Sequence, residues 1–227
     1  MPISYDHIVP WGRSFEEYVS MFALRSHDLT RRILGCGDGP ASFNRRVTER
    51  GGSIISIDPI YQFSQAQIQA RIDATYQQVM EQTRNNKDKF LWTTFASVEE
   101  LGRVRMSAMR EFLDDYEAGK AEGRYRFEEL PVLSFANQAF DVALSSHFLF
   151  LYSEHLSEEF HRQAIAEMLS VAREARVFPR RDLNAEKSRH VEPIITAFTQ
   201  AGYAVDIVSV AYEFQRGGNE MLRVSMK

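Results

Sequence analysis

The amino-acid sequence predicts an α/β fold, a doubly wound and mostly parallel sheet that ends in an antiparallel hairpin. Residues 31 to 58 form one strand–helix–strand unit, because an apolar strand, a glycine-rich turn, a helix and a second apolar strand follow one another there. Residues 201 to 227 contain two strand patterns separated by a turn at 217 to 219, which is typical of a hairpin. The 227 residues, 44% of them hydrophobic, suit a sizeable core. We therefore expect a single domain over residues 1 to 227.

A helix is predicted ahead of the first strand. Residues 14 to 29 place apolar side chains on one helical stripe. Ser14, followed three residues later by Glu17, has the pattern of a capping box. This helix precedes the first strand, so it is placed to close over a ligand bound at the end of that strand.

The turn after the first strand is rich in glycine. Gly37 and Gly39 lack a Cβ, so the backbone can come close to a ligand there, and Asp58 ends the second strand. The dinucleotide fingerprint G-x-G-x-x-G is not met, because Ser42 stands where its third glycine would be. The phosphate-binding pattern G-x-x-x-x-G-K is also absent, since no lysine follows the turn before Lys87. A pyrophosphate site is disfavoured.

The segment between the second and third strands, residues 62 to 123, is longer than a crossover requires. Apolar periodicity predicts two amphipathic helices in it, roughly at 63 to 85 and 97 to 118. A minimal crossover needs only about 10 to 12 residues. The insert either caps the substrate site or packs as a helical elaboration on the edge of the sheet.

The third, fourth and fifth strands are predicted near residues 125 to 129, 141 to 147 and 175 to 178. Between the first two of these, the segment ELPVLSFANQAFDVALSSH (129 to 147) contains an acid, a Leu-Pro pair, a short polar turn and a Phe-Asp pair. Glu129 precedes Asp141 by 12 residues. Ligands of open α/β sheets bind outside the carboxyl ends of the strands, so we expect the end of the fourth strand to face the site.

The fourth strand ends in Ser145, Ser146 and His147. His147 could be a general base that removes a proton from an oxygen or nitrogen nucleophile, or it could hydrogen-bond the backbone or a cofactor without chemistry. Tyr152 and Cys36 lie in apolar surroundings, where packing is the commoner role. His155 and His161 do not have the i, i+4 spacing that places two metal ligands on one face of a helix, so no metal site is predicted.

These motifs resemble those of class I S-adenosylmethionine-dependent methyltransferases. The segment RRILGCGDGPASFNRRVTERGGSIISID (31 to 58) is similar to the family's D-x-G-x-G-x-G motif, with glycines at Gly37 and Gly39, Ala41 at the last glycine and Gly35 at the leading acid. The alternative alignment, which begins at Gly35, places Ile33 at that acid. The segments SHFLFLY and EFQRGGN are similar to those of a bacterial subgroup of unassigned substrate. The resemblance covers roughly residues 30 to 58 and 124 to 227.

The resemblance implies a Rossmann-like sheet of seven strands and S-adenosylmethionine as the cofactor. Asp58 would bind the ribose hydroxyls, Glu129 or its neighbour Glu128 the adenine amino group, and Arg13 the methionine carboxylate, unless Arg13 is simply solvated. The catalytic candidate is His147. The residues that the resemblance assigns to the cofactor are Gly35, Gly37, Gly39, Asp58, Pro59, Glu129, Leu130, Ser145 and Arg13.

The implied reaction is transfer of the methyl group to an unidentified acceptor, either a small molecule or a protein. Two alternatives are a protein that binds S-adenosylmethionine or S-adenosylhomocysteine without catalysis, and a dinucleotide-dependent oxidoreductase. The net charge of −4 and the isoelectric point near 5.9 give no general attraction to nucleic acid or to a membrane. No signal peptide is recognised, and the single cysteine cannot form an internal disulfide, which favours the cytoplasm. No pattern in the sequence indicates an oligomeric state.

Overall fold

The computed structural model describes residue 3 and residues 8 to 227. Within this part of the chain, seven strands form one sheet in the order β3-β2-β1-β4-β5-β7-β6. The first five strands are parallel, and β7 runs antiparallel between β5 and β6. The predicted fold class, including the C-terminal antiparallel pair, is confirmed. The strands are β1 (Arg32–Cys36), β2 (Ser53–Ile57), β3 (Tyr125–Arg126), β4 (Val142–Ser146), β5 (Glu174–Phe178), β6 (Ala204–Ser209) and β7 (Glu220–Ser225).

Both faces of the sheet are covered by helices, which explains why its central strands are almost entirely buried. On one face, Leu34 and Val177 pack among the buried side chains of α5 and α6. On the other face, Ile33 and Leu144 pack among those of α1 and α2. The helices are α1 (Phe15–Met21), α2 (Phe43–Glu49), α3 (Gln65–Asn85), α4 (Val98–Ala121), α5 (Glu158–Val171) and α6 (Val191–Gln200).

Helix α1 begins where the sequence predicts and ends earlier. Ser14 and Glu17 form a reciprocal capping box at its first turn. The helix ends at Met21 rather than near residue 29, because Ala23 adopts a φ of 47° and the chain turns back so that the Leu24 amide donates to the Val19 carbonyl. A positive φ at alanine is rare and has no sequence signal.

The insert contains the two predicted helices, α3 and α4, and they are joined to the sheet by an aromatic cluster. Phe112 and Tyr116 of α4 are fully buried against Tyr61, which follows β2, and against Tyr125 of β3. The Tyr116 hydroxyl lies 2.9 Å from the carbonyl oxygen of Tyr61. Helix α4 is therefore part of the protein core.

The connection between β6 and β7 is longer than a tight hairpin. The predicted turn is present, with Gly217 at a φ of 69°, but β6 ends at Ser209, ahead of that turn. The intervening segment leaves the sheet, and Phe214 stacks on Phe90 with ring centroids 4.7 Å apart. The Leu91 amide donates to the Phe214 carbonyl at 2.7 Å. This connection thus packs on the segment that joins α3 to α4.

No helix among residue 3 and residues 8 to 227 is long and apolar enough to cross a membrane.

Candidate active site

A cavity of about 610 Å³ opens at the carboxyl ends of the central strands. The turn after β1 contributes Gly37 to Gly39, the end of β2 contributes Asp58, and the end of β4 contributes Ser146 and His147. Helix α3 adds a wall at Arg71, Ala74 and Thr75. The volume is in the range of ordinary ligand-binding pockets, about 300 to 1,000 Å³.

The cavity brings together most of the residues predicted to bind a cofactor. Glu128 and Ser146 also line it, whereas Gly35 and Ser145 lie outside its lining. Ser145 is fully buried, because successive side chains of a strand point to opposite faces, and Ser146 takes the position toward the cavity. The predicted residues that line the cavity are Arg13, Gly37, Gly39, Asp58, Pro59, Glu129, Leu130 and His147.

Asp58 holds the turn after β1 in shape. One of its carboxylate oxygens accepts the Gly39 amide at 2.9 Å, and the other accepts the Ile60 amide at 2.8 Å. Burial raises the pKa of Asp58 to about 6, although the two hydrogen bonds act to lower it. The charge of Glu129 adds to the rise. Each oxygen of a carboxylate has a further lone pair, so Asp58 retains acceptor capacity toward the cavity.

Asp38 is a functional candidate that the sequence analysis missed. Its carboxylate is buried and accepts the Tyr18 hydroxyl at 2.8 Å and the Ser56 hydroxyl at 2.6 Å. A Cβ built on Gly35 would overlap this carboxylate. Asp38 therefore places an acid in the space of a side chain at position 35, where the methyltransferase motif has its leading acid. The signal in the sequence was the pairing of a missing side chain at Gly35 with an acid three residues later.

The carboxyl group of Asp38 has an unusual pKa. Burial raises it to about 6 against the hydrogen bonds from Ser56 and Tyr18, and the charge of Asp58 adds to the rise. The floor of the cavity thus holds two neighbouring carboxyl groups that titrate close to neutral pH.

Arg13 lines the cavity as a half-buried cation. Its Nη1 donates to the Trp11 carbonyl at 2.5 Å, whereas its Nε has no hydrogen-bond partner among the described residues. Burial and the nearby charge of Arg105 lower the pKa of Arg13 to about 10. Arg105 is itself paired with Glu17, which also accepts the Tyr212 hydroxyl at 2.9 Å. The guanidinium of Arg13 forms no ion pair with any described carboxylate.

His147 stands in a strained conformation at the end of β4. Its φ is 52°, a left-handed value that histidine adopts more readily than most residues. The Nδ1 atom lies 3.0 Å from the Ser146 hydroxyl. Burial and the charges of Arg13 and Arg105 lower the pKa of His147 well below its usual range, so the imidazole is neutral at pH 7.

The two glutamates after β3 differ in their surroundings. The carboxylate of Glu128 accepts the Ser134 amide at 2.9 Å and its hydroxyl at 2.8 Å, and it pairs with Arg126 at 2.6 Å. No hydrogen bond joins the carboxylate of Glu129 to a described residue. This contrast leaves Glu129 rather than Glu128 available to a ligand.

The remaining residues singled out in the sequence pack in the interior. Tyr152 is buried, and its hydroxyl accepts the Val9 amide at 3.4 Å. Cys36 is buried in the sheet, which raises the pKa of its thiol well above the usual range. Among residue 3 and residues 8 to 227, no group of three or more metal-ligating side chains is found.

Comparison with known proteins supports the fold. No protein-family model matches the chain. The chain is 32% identical over 212 residues to "Uncharacterized protein MJ0045" of Methanocaldococcus jannaschii, a match that covers 93% of each protein. Among solved structures, it is similar to the magnesium protoporphyrin IX methyltransferase of Synechocystis PCC 6803 with bound SAH, with a TM-score of 0.51, 10% identity, and 94% of this chain and 82% of that chain covered.

A second solved structure is a putative S-adenosyl-L-methionine-dependent methyltransferase from Methanococcus maripaludis. The TM-score is 0.47, the identity is 9%, and the match covers 94% of this chain and 83% of that chain. The strand order reported above, together with the likeness to the Synechocystis structure, gives this chain the fold of class I methyltransferases.

Proposed function

We propose that this chain, which belongs to one family with the uncharacterized protein MJ0045 of Methanocaldococcus jannaschii, is an S-adenosylmethionine-dependent methyltransferase. Its fold is that of class I methyltransferases. The observation that carries the proposal is the arrangement of Asp58 and the turn at Gly37 and Gly39 around one cavity. The Synechocystis structure with bound SAH supports the same type of cofactor.

The residues that line the cavity fit this cofactor in charge and in hydrogen-bonding capacity. The backbone at Gly37 and Gly39 lies open to the cavity at φ values of 70° and 55°. Asp58 would bind the ribose hydroxyls with its remaining lone pairs, and Glu129 the adenine amino group. Arg13 lines the cavity without an ion pair to any described carboxylate, and a guanidinium fits a carboxylate such as that of the methionine part.

Three other predicted residues have supporting roles in this proposal. Pro59 and Leu130 supply apolar surface to the cavity. Gly35 acts indirectly, by leaving room for the Asp38 carboxylate.

The contribution of the protein to the reaction is positioning and the exclusion of water. When bound, the cofactor supplies a methyl group on a positively charged sulfur. A lone pair of the acceptor forms the new bond to carbon, and the electron pair of the broken carbon–sulfur bond stays on sulfur. With an acceptor that carries a proton, the neutral imidazole of His147 is placed to take it.

The insert is part of the proposed acceptor site. Arg71, Ala74 and Thr75 of α3 line the same cavity as Gly37 and Asp58. We propose that residues 62 to 123 cap the site through α3, while α4 anchors them to the core.

Isothermal titration calorimetry tests the proposed function. S-adenosylhomocysteine and S-adenosylmethionine should each bind one site per chain, whereas NAD should not bind, because the turn lacks the dinucleotide fingerprint. Binding of NAD without binding of S-adenosylhomocysteine would overturn the proposal. Turnover of methyl-labelled donor with an acceptor separates an enzyme from a protein that only binds the cofactor.

A further inference from the structure

The segment that follows Asp58, residues 59 to 63, forms one wall of the cavity. Four of its side chains belong to the lining: Pro59, Ile60, Gln62 and Phe63. Tyr61 is the exception, because it is 1% exposed and packs in the aromatic cluster that joins α4 to the sheet. The shape of this wall therefore depends on what holds Tyr61 in place.

The Tyr61 side chain joins the wall to the glycine-rich turn. Its hydroxyl donates to the Gly39 carbonyl at 2.7 Å, and the Gly39 amide donates to Asp58 at 2.9 Å. Both polar backbone groups of Gly39 are thus held by residues that follow β2. A Cβ built on Gly39 would have only the Asp58 carboxylate within 4 Å, at 3.9 Å, so the turn is open on that side, and Gly39 lines the cavity.

Helix α4 of the insert holds the backbone of the same wall. The Tyr116 hydroxyl lies 2.9 Å from the carbonyl oxygens of both Tyr61 and Phe63. The Lys120 ammonium donates to the Tyr61 carbonyl at 2.8 Å, to the Phe63 carbonyl at 3.3 Å and to the Tyr116 hydroxyl at 3.2 Å. An ammonium has three N–H donors, so all the donors of Lys120 are directed to this wall or to the hydroxyl that holds it.

Helix α3 contacts the wall as well. The Arg71 guanidinium lies 3.6 Å from the centroid of the Phe63 ring, and both residues line the cavity. Both helices of the insert therefore contact residues 59 to 63, α3 at a side chain and α4 at the backbone.

We propose that Tyr61, Tyr116 and Lys120 are positioning residues of the methyl-donor site. This inference rests on the proposed methyltransferase function. Tyr116 and Lys120 fix the backbone of residues 59 to 63, and Tyr61 in turn fixes Gly39. A wall and a turn held in this way do not have to be ordered when the donor binds, so less of the binding free energy is lost to ordering. The insert is then part of the donor site as well as of the acceptor site.

Calorimetric titration of the full chain with S-adenosylhomocysteine tests the inference. Tyr61→Phe removes only the hydroxyl that holds Gly39, and it should weaken binding by about three- to tenfold. Lys120→Met keeps a side chain of similar length without the ammonium group, and it should weaken binding by about tenfold.

Tyr125→Phe is the matched control for Tyr61→Phe. Tyr125 is buried in the same aromatic cluster, but its hydroxyl donates to Asp115 at 2.8 Å and not to the wall or the turn. Both tyrosine variants should lose stability in urea titration, because each loses a buried hydrogen bond. Only Tyr61→Phe should also lose affinity for S-adenosylhomocysteine, whereas Tyr125→Phe should bind it like the wild type.

The double variant Tyr61→Phe/Lys120→Met tests whether Lys120 acts through Tyr61. Once the hydroxyl that holds Gly39 is gone, the loss of Lys120 can no longer disturb Gly39 through it. The loss of affinity in the double variant should therefore be smaller than the product of the two single losses.

The inference is overturned if Tyr61→Phe binds S-adenosylhomocysteine like the wild type, if Tyr125→Phe weakens binding as much as Tyr61→Phe, or if the two single losses multiply in the double variant. Each of these results leaves the binding of S-adenosylhomocysteine by the wild type, and hence the proposed function, intact. Failure of the wild type to bind S-adenosylhomocysteine would overturn both.

Discussion

The carboxylate of Asp38 occupies the space above Gly35 that any side chain at position 35 would fill. It is fixed there by hydroxyl donors from two elements, Tyr18 of α1 at 2.8 Å and Ser56 of β2 at 2.6 Å. An acid is thus present at the head of the glycine-rich turn although the sequence has none at that position. The missing leading acid was the reason to consider a protein that binds the cofactor without catalysis, and Asp38 supplies a carboxylate in its place.

Gly35→Ala should therefore damage the site through Asp38. The new methyl group overlaps the carboxylate and must displace it, and overpacking of this kind costs about 1 to 3 kcal/mol of stability. The free energy of unfolding, from urea titration, should fall by that amount, and S-adenosylhomocysteine should bind more weakly.

A double-mutant cycle provides the control. In the Asp38→Ala background the obstructing carboxylate is gone, so adding Gly35→Ala should cost much less stability than it costs in the wild type. Equal costs in the two backgrounds would show that the two residues do not interact.

The buried acid also predicts a dependence on pH. The pKa of Asp38 is about 6 in the folded chain, whereas an aspartate in an unfolded chain has a pKa of about 3.9. The folded state holds this proton when the unfolded state has lost it, so the contribution of Asp38 to stability falls as the pH rises from about 4 to 6. Asp38→Asn has no such titration.

The wild type should accordingly lose stability relative to Asp38→Asn as the pH rises through this window. Urea titrations of both proteins at several pH values measure the difference between their free energies of unfolding. The contributions of other titrating groups cancel in this difference. A difference that is constant between about pH 4 and pH 6 would mean that folding does not raise the pKa of Asp38.

Local patterns in the sequence were sufficient to predict the strands, the glycine-rich turn and the position of Asp58 directly after β2. Apolar runs and glycines act on their immediate neighbours, and the carboxyl ends of parallel strands meet at one edge whatever the details of packing. Asp38 was missed because its partners, Tyr18 and Ser56, come from distant segments. The packing of the β6–β7 connection on the insert could not be predicted either, because it depends on the stacking of Phe90 on Phe214, which lie far apart in the sequence.

Asp58 should be sensitive even to its amide analogue. Both carboxylate oxygens accept backbone amides, from Gly39 and Ile60, so the NH₂ group of an asparagine would face an N–H donor. Charge-assisted hydrogen bonds contribute about 1.5 to 3 kcal/mol each. We expect Asp58→Asn and Asp58→Ala to weaken the binding of S-adenosylhomocysteine by about tenfold to several hundredfold, as measured by calorimetry.

The matched control for Asp58 is Asp73→Ala, which removes an exposed carboxylate of α3. Its affinity for S-adenosylhomocysteine should equal that of the wild type. If the Asp58 variants also bind like the wild type, Asp58 is only a turn residue and the ribose assignment is wrong.

The ion pair between Glu17 and Arg105 joins α1 to the insert and predicts a large effect on stability. Arg105 is 1% exposed, and burial alone would raise the pKa of Glu17, but the charge and hydrogen bond of Arg105 keep that pKa below its usual value. Removing one member of a buried pair leaves an uncompensated charge and costs about 3 to 5 kcal/mol. Glu17→Gln should lower the free energy of unfolding by this amount in urea titration. Arg110→Ala, at an exposed residue of helix α4, which also carries Arg105, should change it by less than about 0.5 kcal/mol.

The effect of Glu17→Gln should also depend on pH. Because a carboxylate with a lowered pKa stabilises the protein fully only above the pKa of a glutamate in the unfolded chain, the deficit of Glu17→Gln should shrink below about pH 4. A loss of less than about 1 kcal/mol at pH 7 would show that water compensates Arg105 and that the insert is held by its aromatic cluster alone.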